Sequence, residues 1–424
     1  MSHAWAGALR LPVSLRTAKE GGLFLAGNVY YQAARFVVYL VAARMLGPDL
    51  YGLWNALLLL LTYGVAYGHL GVLNAMAREI PYNEGRGAGA ENQAVVNTSF
   101  TTAVAAAAVI GGVTLVAGLL GASDASTRLG LRLVALLILL EELHLFFDLL
   151  LRAHARFHAV AVMQLLLGTL LLVGVTGLTL VQGFAGFLWA HVVAFAVVVV
   201  YLRARAPVVP RFRWDRARAA RLARIGFPIM MAGFAYGMLT SLDRLMVLSF
   251  LGREQLGYYS IAFMAYGTMM LVPRSVSQMV YPRMALTYGR TGDPAALRDL
   301  VYRPIRWLAV VMIPALGVAL VAAPWFVRWF LPQYEPGIPA LQITIVSVFF
   351  LSFMGGFGNF LTTVDRQKLY LAVLVGALAV NLALYFIVLR AGYGITGVAA
   401  ATLVTQVAFV TTLWLVVRPM LVRR

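Results

Sequence analysis

The chain has 424 residues, of which 62% are hydrophobic and only 12% charged, and its mean hydropathy is +0.84. Soluble domains carry about 25% charged residues, so this composition excludes an ordinary soluble enzyme or binding module. No cysteine is present, which excludes disulfide scaffolds, thiolate metal sites and cysteine nucleophiles.

Apolar runs of membrane-spanning length recur along the whole chain. In chain order they lie near 22–46, 51–76, 94–120, 128–151, 159–181, 186–203, 225–251, 257–281, 304–330, 337–363, 369–389 and 397–417. A transmembrane helix needs roughly 20 mostly apolar residues, and each run supplies them. The first 20 residues lack a short apolar core before a cleavage site, so we interpret them as a cytoplasmic lead-in and not as a signal peptide. The sequence therefore predicts an all-α, polytopic membrane protein with about twelve transmembrane helices.

Basic residues are concentrated in alternate loops. If the N-terminus is inside, the inner segments hold 25 of the 34 Lys and Arg residues, the outer ends hold six, and three lie within spans. This asymmetry predicts a multi-pass inner-membrane protein with both termini in the cytoplasm. It also accounts for the net charge of +18 without nucleic acid. The eight arginines of 203–224 either anchor this segment to anionic lipid or attract an anionic headgroup.

An internal repeat divides the chain. The pattern L-G-x-acid-x-x-G-x-aromatic occurs at Leu46–Trp54 and again at Leu251–Tyr259, 205 residues later, and we interpret it as architectural. A weaker echo relates Gly186–Ala190 to Gly397–Ala401, at a displacement of 211. Both displacements are near half the length, which predicts two parallel halves of six helices each.

The predicted division has three parts. An N-terminal lobe covers 1–203, a basic cytoplasmic linker covers 204–224, and a C-terminal lobe covers 225–424. Transporters built from such parallel repeats bind their substrate near the middle of the membrane, at the interface between the repeats.

Two predicted helices carry an arginine with amides and a phenol on one face. Asn28, Gln32, Arg35 and Tyr39 follow the spacing i, i+4, i+7 and i+11 in the first helix. In the eighth helix, Arg274, Gln278 and Tyr281 follow i, i+4 and i+7. A charge at membrane depth costs at least about 2.5–3.5 kcal/mol, so Arg35 either packs against a carboxylate or faces a wet cavity. Because a guanidinium donates to phosphate in pairs, we hypothesise that Arg35 and Arg274 bind one diphosphate.

The remaining charged residues in the spans leave two interpretations open. Glu141, Glu142 and Asp148 in the fourth helix either pair with a basic residue or bind a proton or a sodium ion. Asp243 and Arg244 are adjacent in the seventh helix and point about 100° apart, so one pairs with a neighbour while the other lines the lumen. Polar residues of later spans, Asn359, Asn381, Tyr385 and Gln406, are expected to form helix–helix hydrogen bonds. We see no metal-ligand spacing and no phosphate-binding glycine loop, and predict no cofactor, no metal and no direct use of ATP.

Two long segments resemble a known family. They are ARMLGPDLYGLWNALLLLLTYGVAYGHLGVLNAMAREIPYNEGRG at 43–87 and GFPIMMAGFAYGMLTSLDRLMVLSFLGREQLGYYSIAFMAYGTM at 226–269, which includes S-x-D-R-x-x-V at Ser241–Val247. Both are similar to polysaccharide flippases of the multidrug/oligosaccharidyl-lipid/polysaccharide exporter superfamily. The resemblance implies a V-shaped pair of six-helix lobes that open alternately to either side. It also implies central cationic residues, for which Arg35 and Arg274 are the nearest candidates.

The expected function is that of a transporter, not an enzyme. The resemblance implies that it flips undecaprenyl-pyrophosphate-linked oligosaccharide from the cytoplasmic to the outer leaflet for surface polysaccharide biosynthesis. Membrane lipids surround it, a proton or sodium gradient is the candidate energy source, and a glycan polymerase or transferase is a candidate partner. The residues expected to bind substrate are Arg35, Arg274, Arg244, Asn28, Gln32 and Gln278. Two alternatives stay open: a drug or organic-cation exporter of the same fold, and a membrane glycosyl polymerase or ligase, which the short outer loops disfavour.

Overall fold

The computed structural model describes residues 15–121 and 124–422, and within these ranges the chain is helical and has no strand. The prediction of an all-α protein is confirmed. The α-helices are α1 (Leu15–Gly68), α2 (Val72–Gly85), α3 (Asn92–Leu120), α4 (Ala125–Ala153), α5 (Phe157–Arg205), α6 (Arg216–Leu239), α7 (Leu242–Met269), α8 (Leu271–Thr291), α9 (Arg298–Phe330), α10 (Ile338–Leu351), α11 (Met354–Thr363), α12 (Gln367–Arg390) and α13 (Gly394–Val417). Short 3₁₀ turns, among them Pro332–Gly337, join some of them.

Two helices are too long for one crossing and are broken by glycine. α1 has 54 residues and α5 has 49. At about 1.5 Å per residue, either would exceed twice the ~30 Å of a bilayer core. Gly47 (φ 74°, ψ 171°) interrupts α1, and Gly183 (φ 57°, ψ −134°) interrupts α5. Positive φ is strained for residues with a Cβ, so glycine is needed at both breaks. Each helix therefore crosses the membrane twice.

The crossings can be counted from these helices. Eight helical segments of the described residues are long and apolar enough to span a membrane. Because α1 and α5 are each broken into two crossings, the number of crossings rises from eight to ten. The other two crossings carry charge: α4 contains Glu141, Glu142 and Asp148, and the second part of α7 continues through α8 past Arg274. Counted in this way, the described chain has twelve helical stretches of crossing length, and the protein is a multi-pass membrane protein.

Three predicted spans are interrupted within their length, which the apolar pattern does not indicate. The breaks lie at Thr240–Ser241, at Met270 and at Ser352–Phe353. The Thr240 and Ser241 hydroxyls donate to the carbonyl of Gly237, and the Ser352 hydroxyl donates to that of Phe349. Such hydroxyl-to-backbone bonds compete with the helical hydrogen bonds and end the helix locally.

About half of the predicted polar stretch 204–224 is helical. Only 206–215 lies outside helices, and α6 begins at Arg216. The Asp215 carboxylate accepts from the backbone N–H of Arg218, a common way to satisfy the free donors at a helix start. The linker is therefore shorter than the charge pattern indicates.

Packing divides the chain into two compact units. Met1–Ala42 with Leu61–Met230 form the first, and Ala43–Leu60 with Met231–Arg424 form the second. The short segment Ala43–Leu60, at the break in α1, thus packs with the second unit although it is continuous with the first. The lobe boundaries 1–203 and 225–424 stay a prediction.

Small residues set the close helix contacts in each unit. In the first unit, a Cβ added at Gly111 of α3 would lie 2.9 Å from the Ala135 carbonyl of α4. In the second unit, a Cβ added at Gly355 of α11 would lie 2.8 Å from the Ser277 hydroxyl of α8. Glycine at such positions lets membrane helices approach, because dispersion and hydrogen bonds, not hydrophobicity, hold them together.

Candidate substrate and ion sites

Arg35 lies on α1 between two tyrosines, one helical turn away on either side. Its guanidinium carbon is 5.8 Å from the centre of the Tyr31 ring and 5.4 Å from that of Tyr39. Within about 6 Å, a ring face attracts a cation. Asn28 and Gln32 lie on the preceding turns, half-buried, and their side-chain amides form no hydrogen bond within the described ranges. This face of α1 thus carries one guanidinium next to two phenol rings, and two side-chain amides without a hydrogen-bond partner in the described ranges.

The acids of α4 differ in their surroundings. Glu141 interacts with Arg35 electrostatically, but its carboxylate forms no ion pair within 4 Å. Glu142 is fully buried, and its Oε1 has no hydrogen-bond partner among the residues described. Asp148 accepts at both carboxylate oxygens from the Nε of Arg152, at 2.8 and 2.9 Å. Arg152 thus neutralises Asp148, whereas Glu141 and Glu142 remain without a direct basic partner.

Arg274 repeats the arrangement of Arg35 in the second unit. It is an exposed residue near the start of α8, and its guanidinium carbon is 6.0 Å from the ring centre of Tyr266. Tyr266 in turn approaches Tyr236, with hydroxyl oxygens 3.5 Å apart, and both phenols interact with Arg274. Gln278, one turn further along, is exposed. Like Arg35, Arg274 has no carboxylate within 4 Å in the part of the chain that is described.

The neighbours Asp243 and Arg244 point in different directions at the start of α7. The Asp243 carboxylate accepts from the Tyr259 hydroxyl and from the backbone N–H of Arg244, both at 2.8 Å. The guanidinium of Arg244 lies 3.7 Å from the centre of the Phe263 ring, and the residue is buried. The divergence follows from the 100° between successive helical residues. It leaves Asp243 among hydroxyl groups and Arg244 on an aromatic face.

A small polar cavity adjoins Asp243 inside the second unit. Its volume of about 20 Å³ suits one water molecule or one dehydrated cation. Oxygen-bearing side chains line it, among them Asp243, Tyr259, Ser347, Thr402 and Gln406. It lies beside the break at Thr240, where α6 ends. A carboxylate, hydroxyls and an amide carbonyl around such a space are the ligands that hard cations prefer.

The expected helix–helix hydrogen bonds of the later spans are confirmed. Asn359 donates to Ser277, the Thr405 hydroxyl donates to Asn381, and the Ser347 hydroxyl donates to the Gln406 carbonyl at 2.6 Å. The hydroxyls of Tyr385 and Thr402 are 2.7 Å apart. Three of these residues therefore have a double role, because Ser347, Thr402 and Gln406 also line the cavity.

Sequence reasoning placed Tyr39 on the same face as Arg35 but missed the other aromatic partners of the arginines. Tyr31 precedes Arg35 by four residues, so its place on the same face could have been found from spacing. Tyr236 and Phe263 could not, because they reach their arginines from other helices or other turns of a broken helix.

A known protein family matches most of this chain. The model of the family described as polysaccharide biosynthesis protein matches residues 41–336, more than half of the chain. This chain belongs to that family. The match covers Arg244 and Arg274 but begins after Arg35, and a search of curated proteins gives no match.

Solved structures show that the fold is that of the MOP-superfamily transporters. An inward-facing multidrug-resistance MATE transporter of that superfamily matches with a TM-score of 0.78 at 14% identity, over 92% of this chain and 94% of that one. A Vibrio cholerae MATE transporter variant matches at 0.63 and 16% identity, over 95% of each chain. A MOP transporter from Pyrococcus furiosus, for which reversed polarity of the binding pocket suggests a different function, matches at 0.63 and 15% identity, over 96% and 94%. The polysaccharide biosynthesis protein described here therefore shares a transporter fold.

Proposed function

We propose that this protein flips polyprenyl-diphosphate-linked oligosaccharide from the cytoplasmic to the outer leaflet by alternating access, for the biosynthesis of a surface polysaccharide. One observation carries the proposal. Arg35 and Arg274 lie in membrane-spanning helices, one in each half, and neither has a carboxylate within 4 Å among the described residues. Membership of a polysaccharide biosynthesis family supports the class of substrate.

The surroundings of both arginines favour an anionic ligand. A guanidinium at membrane depth without a counter-ion is costly, and such residues mark substrate or ion pathways. Phenol rings hold the Arg35 and Arg274 side chains by their faces, which limits their rotation. The phenol hydroxyls also interact with both guanidinium groups through hydrogen bonds. A guanidinium carries five N–H donors, so further donors can serve the oxygens of a diphosphate.

An organic-cation exporter would need the opposite arrangement. Its cavity would present acids that outweigh the basic residues. Here Arg152 neutralises Asp148, Tyr259 engages Asp243, and Glu141 lies within electrostatic range of Arg35, which leaves the buried Glu142 as the one acid of these four without such a neighbour among the described residues. A glycosyl polymerase or ligase would be expected to carry a sizeable outer loop, whereas the predicted outer loops of this chain are short and its fold matches that of transporters. A transporter that is not an enzyme is the function that this geometry supports best.

Reconstitution into vesicles tests the proposal. Labelled polyprenyl-diphosphate oligosaccharide in the starting leaflet should reach the opposite leaflet faster with protein than without it. Arg35→Gln and Arg274→Gln each remove a charge-assisted hydrogen bond of about 1.5–3 kcal/mol, so each should weaken headgroup binding roughly ten- to hundredfold. Arg390→Gln is the matched control, because Arg390 is exposed at the end of α12.

Three results would contradict the proposal. The first is unchanged transport in both arginine variants. The second is transport of an organic cation, and not of the lipid, by the wild-type protein. The third is a lengthened sugar chain in the vesicles, which mass analysis of the recovered lipid would reveal and which would indicate a polymerase.

We also propose that the cavity beside Asp243 holds the coupling ion, a proton or a sodium ion. Its single carboxylate and its oxygen ligands support this assignment. Asp243→Asn keeps the shape of the side chain and removes the charge, so it should abolish the dependence of transport on an ion gradient. Separate sodium and proton gradients identify the ion, and gradient-dependent transport that persists in Asp243→Asn would exclude this cavity.

A further inference from the structure

The two copies of the glycine repeat adopt the same backbone conformation. Gly47 breaks α1 at φ 74°, ψ 171°, and Gly252 breaks α7 at φ 86°, ψ 179°. These values lie in a region that only glycine enters readily. The displacement of 205 residues thus relates two equal structural pieces and not a chance likeness of letters.

The two copies also contact each other reciprocally. A Cβ added at Gly52 would overlap the carbonyl of Arg253, and a Cβ added at Gly257 would overlap the carbonyl of Pro48. Gly52 and Gly257 are equivalent positions of the repeat, as are Pro48 and Arg253. Such self-complementary contact is characteristic of a two-fold axis. We call this crossing, formed by 47–54 and 252–259, the glycine seam.

Backbone rather than interlocked side chains forms the centre of the seam. Asp49 and Arg253 form an ion pair at its edge, with side chains 48% and 37% exposed. Exposed pairs of this kind contribute little to stability. At the Gly52 and Gly257 contacts only glycine and backbone surfaces meet, so the two segments can separate there without disengaging interlocked side chains.

A third segment covers the seam. Tyr334, in Pro332–Gly337, is fully buried and lies edge-on to Tyr51 and to Tyr258, with ring centres 6.2 and 6.3 Å apart. Its hydroxyl donates to the carbonyl of Ala43 at 2.9 Å. Together these contacts attach Ala43–Leu60 to the second unit, although the rest of α1 packs in the first.

We propose that the glycine seam is the outer gate of the transporter, closed in this structure and opened when the sugar lipid is released outside. The inference rests on the proposed function for the cargo, but the gate itself is defined by the contact of the two repeats. Opening separates 47–54 from 252–259. It breaks the Asp49–Arg253 pair, the ring contact of Tyr334 with Tyr51 and the hydrogen bond from Tyr334 to Ala43. The equivalence of the two copies explains why the pattern occurs twice: each supplies the same surface to the contact.

Cross-linking tests the gate directly, because the natural chain contains no cysteine. Asp49→Cys with Arg253→Cys is joined by a short bis-methanethiosulfonate reagent in the reconstituted protein. Flipping should fall by about tenfold or more, since a locked gate removes the open population. Dithiothreitol should restore the rate in the same sample, which excludes misfolding as the cause.

A second ion pair provides the matched control. Arg328 and Glu335 also pair in the second unit, at 3.0 Å, but they join α9 to the following turn and not the two repeats. Arg328→Cys with Glu335→Cys, joined by the same reagent, should flip at the unmodified rate. If the cross-linked Asp49/Arg253 variant transports normally, or both cross-links inhibit equally, the gate proposal is wrong.

An accessibility measurement needs no substrate and so separates this proposal from the proposed function. Tyr51→Cys places a thiol beside Gly52, at a buried position of the seam that contacts Tyr334. Gly52→Ala should hold the seam open and increase labelling by a membrane-impermeant maleimide about tenfold over Gly267→Ala, whose added Cβ meets nothing within 4 Å. Equal labelling of the two variants would refute the gate even if flipping occurs. Increased labelling in a protein that never flips the lipid would instead support the gate and refute the proposed substrate.

Discussion

At the scale of single residues, the guanidinium groups at positions 35 and 274 are the most informative feature. Both cations are held against phenol rings, and neither is neutralised by an acid within 4 Å in the described chain. A lysine would keep the charge but lose the planar fork that binds two phosphate oxygens at once. We therefore expect Arg35→Lys and Arg274→Lys to flip the lipid at rates between those of the wild type and the glutamine variants. Rates equal to the wild type would show that only charge matters.

A glycine is required at position 71 for two reasons, its positive φ and its close contact with a neighbouring helix. It precedes α2 at φ 80°, and an added Cβ would overlap the backbone of Gly226 in α6. The left-handed conformation alone costs a residue with a Cβ about 1–2 kcal/mol, before the overlap is relieved. We expect Gly71→Ala to lower the thermal unfolding temperature in detergent. Gly85→Ala, at the end of the same helix with nothing within 4 Å of the added Cβ, should leave it unchanged.

At the scale of elements, the segment between α5 and α6 is docked and not free. The side-chain carbonyl of Asn97, in α3, accepts from the backbone N–H of Arg211 at 2.9 Å. The side-chain amide of Gln93 donates to the backbone carbonyl of Val209. The ring of Phe212 lies 5.0 Å from that of Phe100. The basic linker is thus fixed to α3, and its arginines are held at the surface of the first unit.

This docking predicts a change in proteolysis. Asn97→Ala removes the acceptor for Arg211, a bond of about 0.5–1.5 kcal/mol, and so should raise trypsin cleavage at the linker arginines by roughly threefold to tenfold. Thr102→Ala is the control, because that hydroxyl bonds only to Thr98 of its own helix. Identical cleavage rates in the two variants would mean that the linker is not held by this contact.

Helices and their order could be predicted from the sequence, but the breaks within them could not. Apolar length revealed all twelve crossings, and the paired glycines marked the turns at Gly47 and Gly252. The interruption at Thr240–Ser241 depends on hydroxyl groups that bond backward to Gly237, and those residues are common in unbroken helices too. The cavity beside Asp243 forms where that break meets Thr402 and Gln406, so its existence required tertiary structure.

At the scale of the whole molecule, the orientation in the membrane stays a prediction from the distribution of basic residues. It can be tested on the cysteine-free chain with single cysteines. Arg390→Cys, at the end of α12, should react with an impermeant maleimide added to intact cells, and Asp215→Cys, in the linker, should react only after the membrane is opened. The reverse pattern would invert the topology and with it the direction of transport.

The central claim for the whole molecule is that its membrane-depth arginines receive a lipid diphosphate. The most direct measurement compares, in vesicles holding the wild-type protein, the transbilayer rates of one labelled sugar on a polyprenyl diphosphate and on an uncharged polyprenyl carrier. We predict that protein accelerates the diphosphate lipid at least about tenfold over the uncharged one, because only the former gains the charge-assisted bonds to Arg35 and Arg274. Equal acceleration of both lipids, or of neither, would contradict the claim.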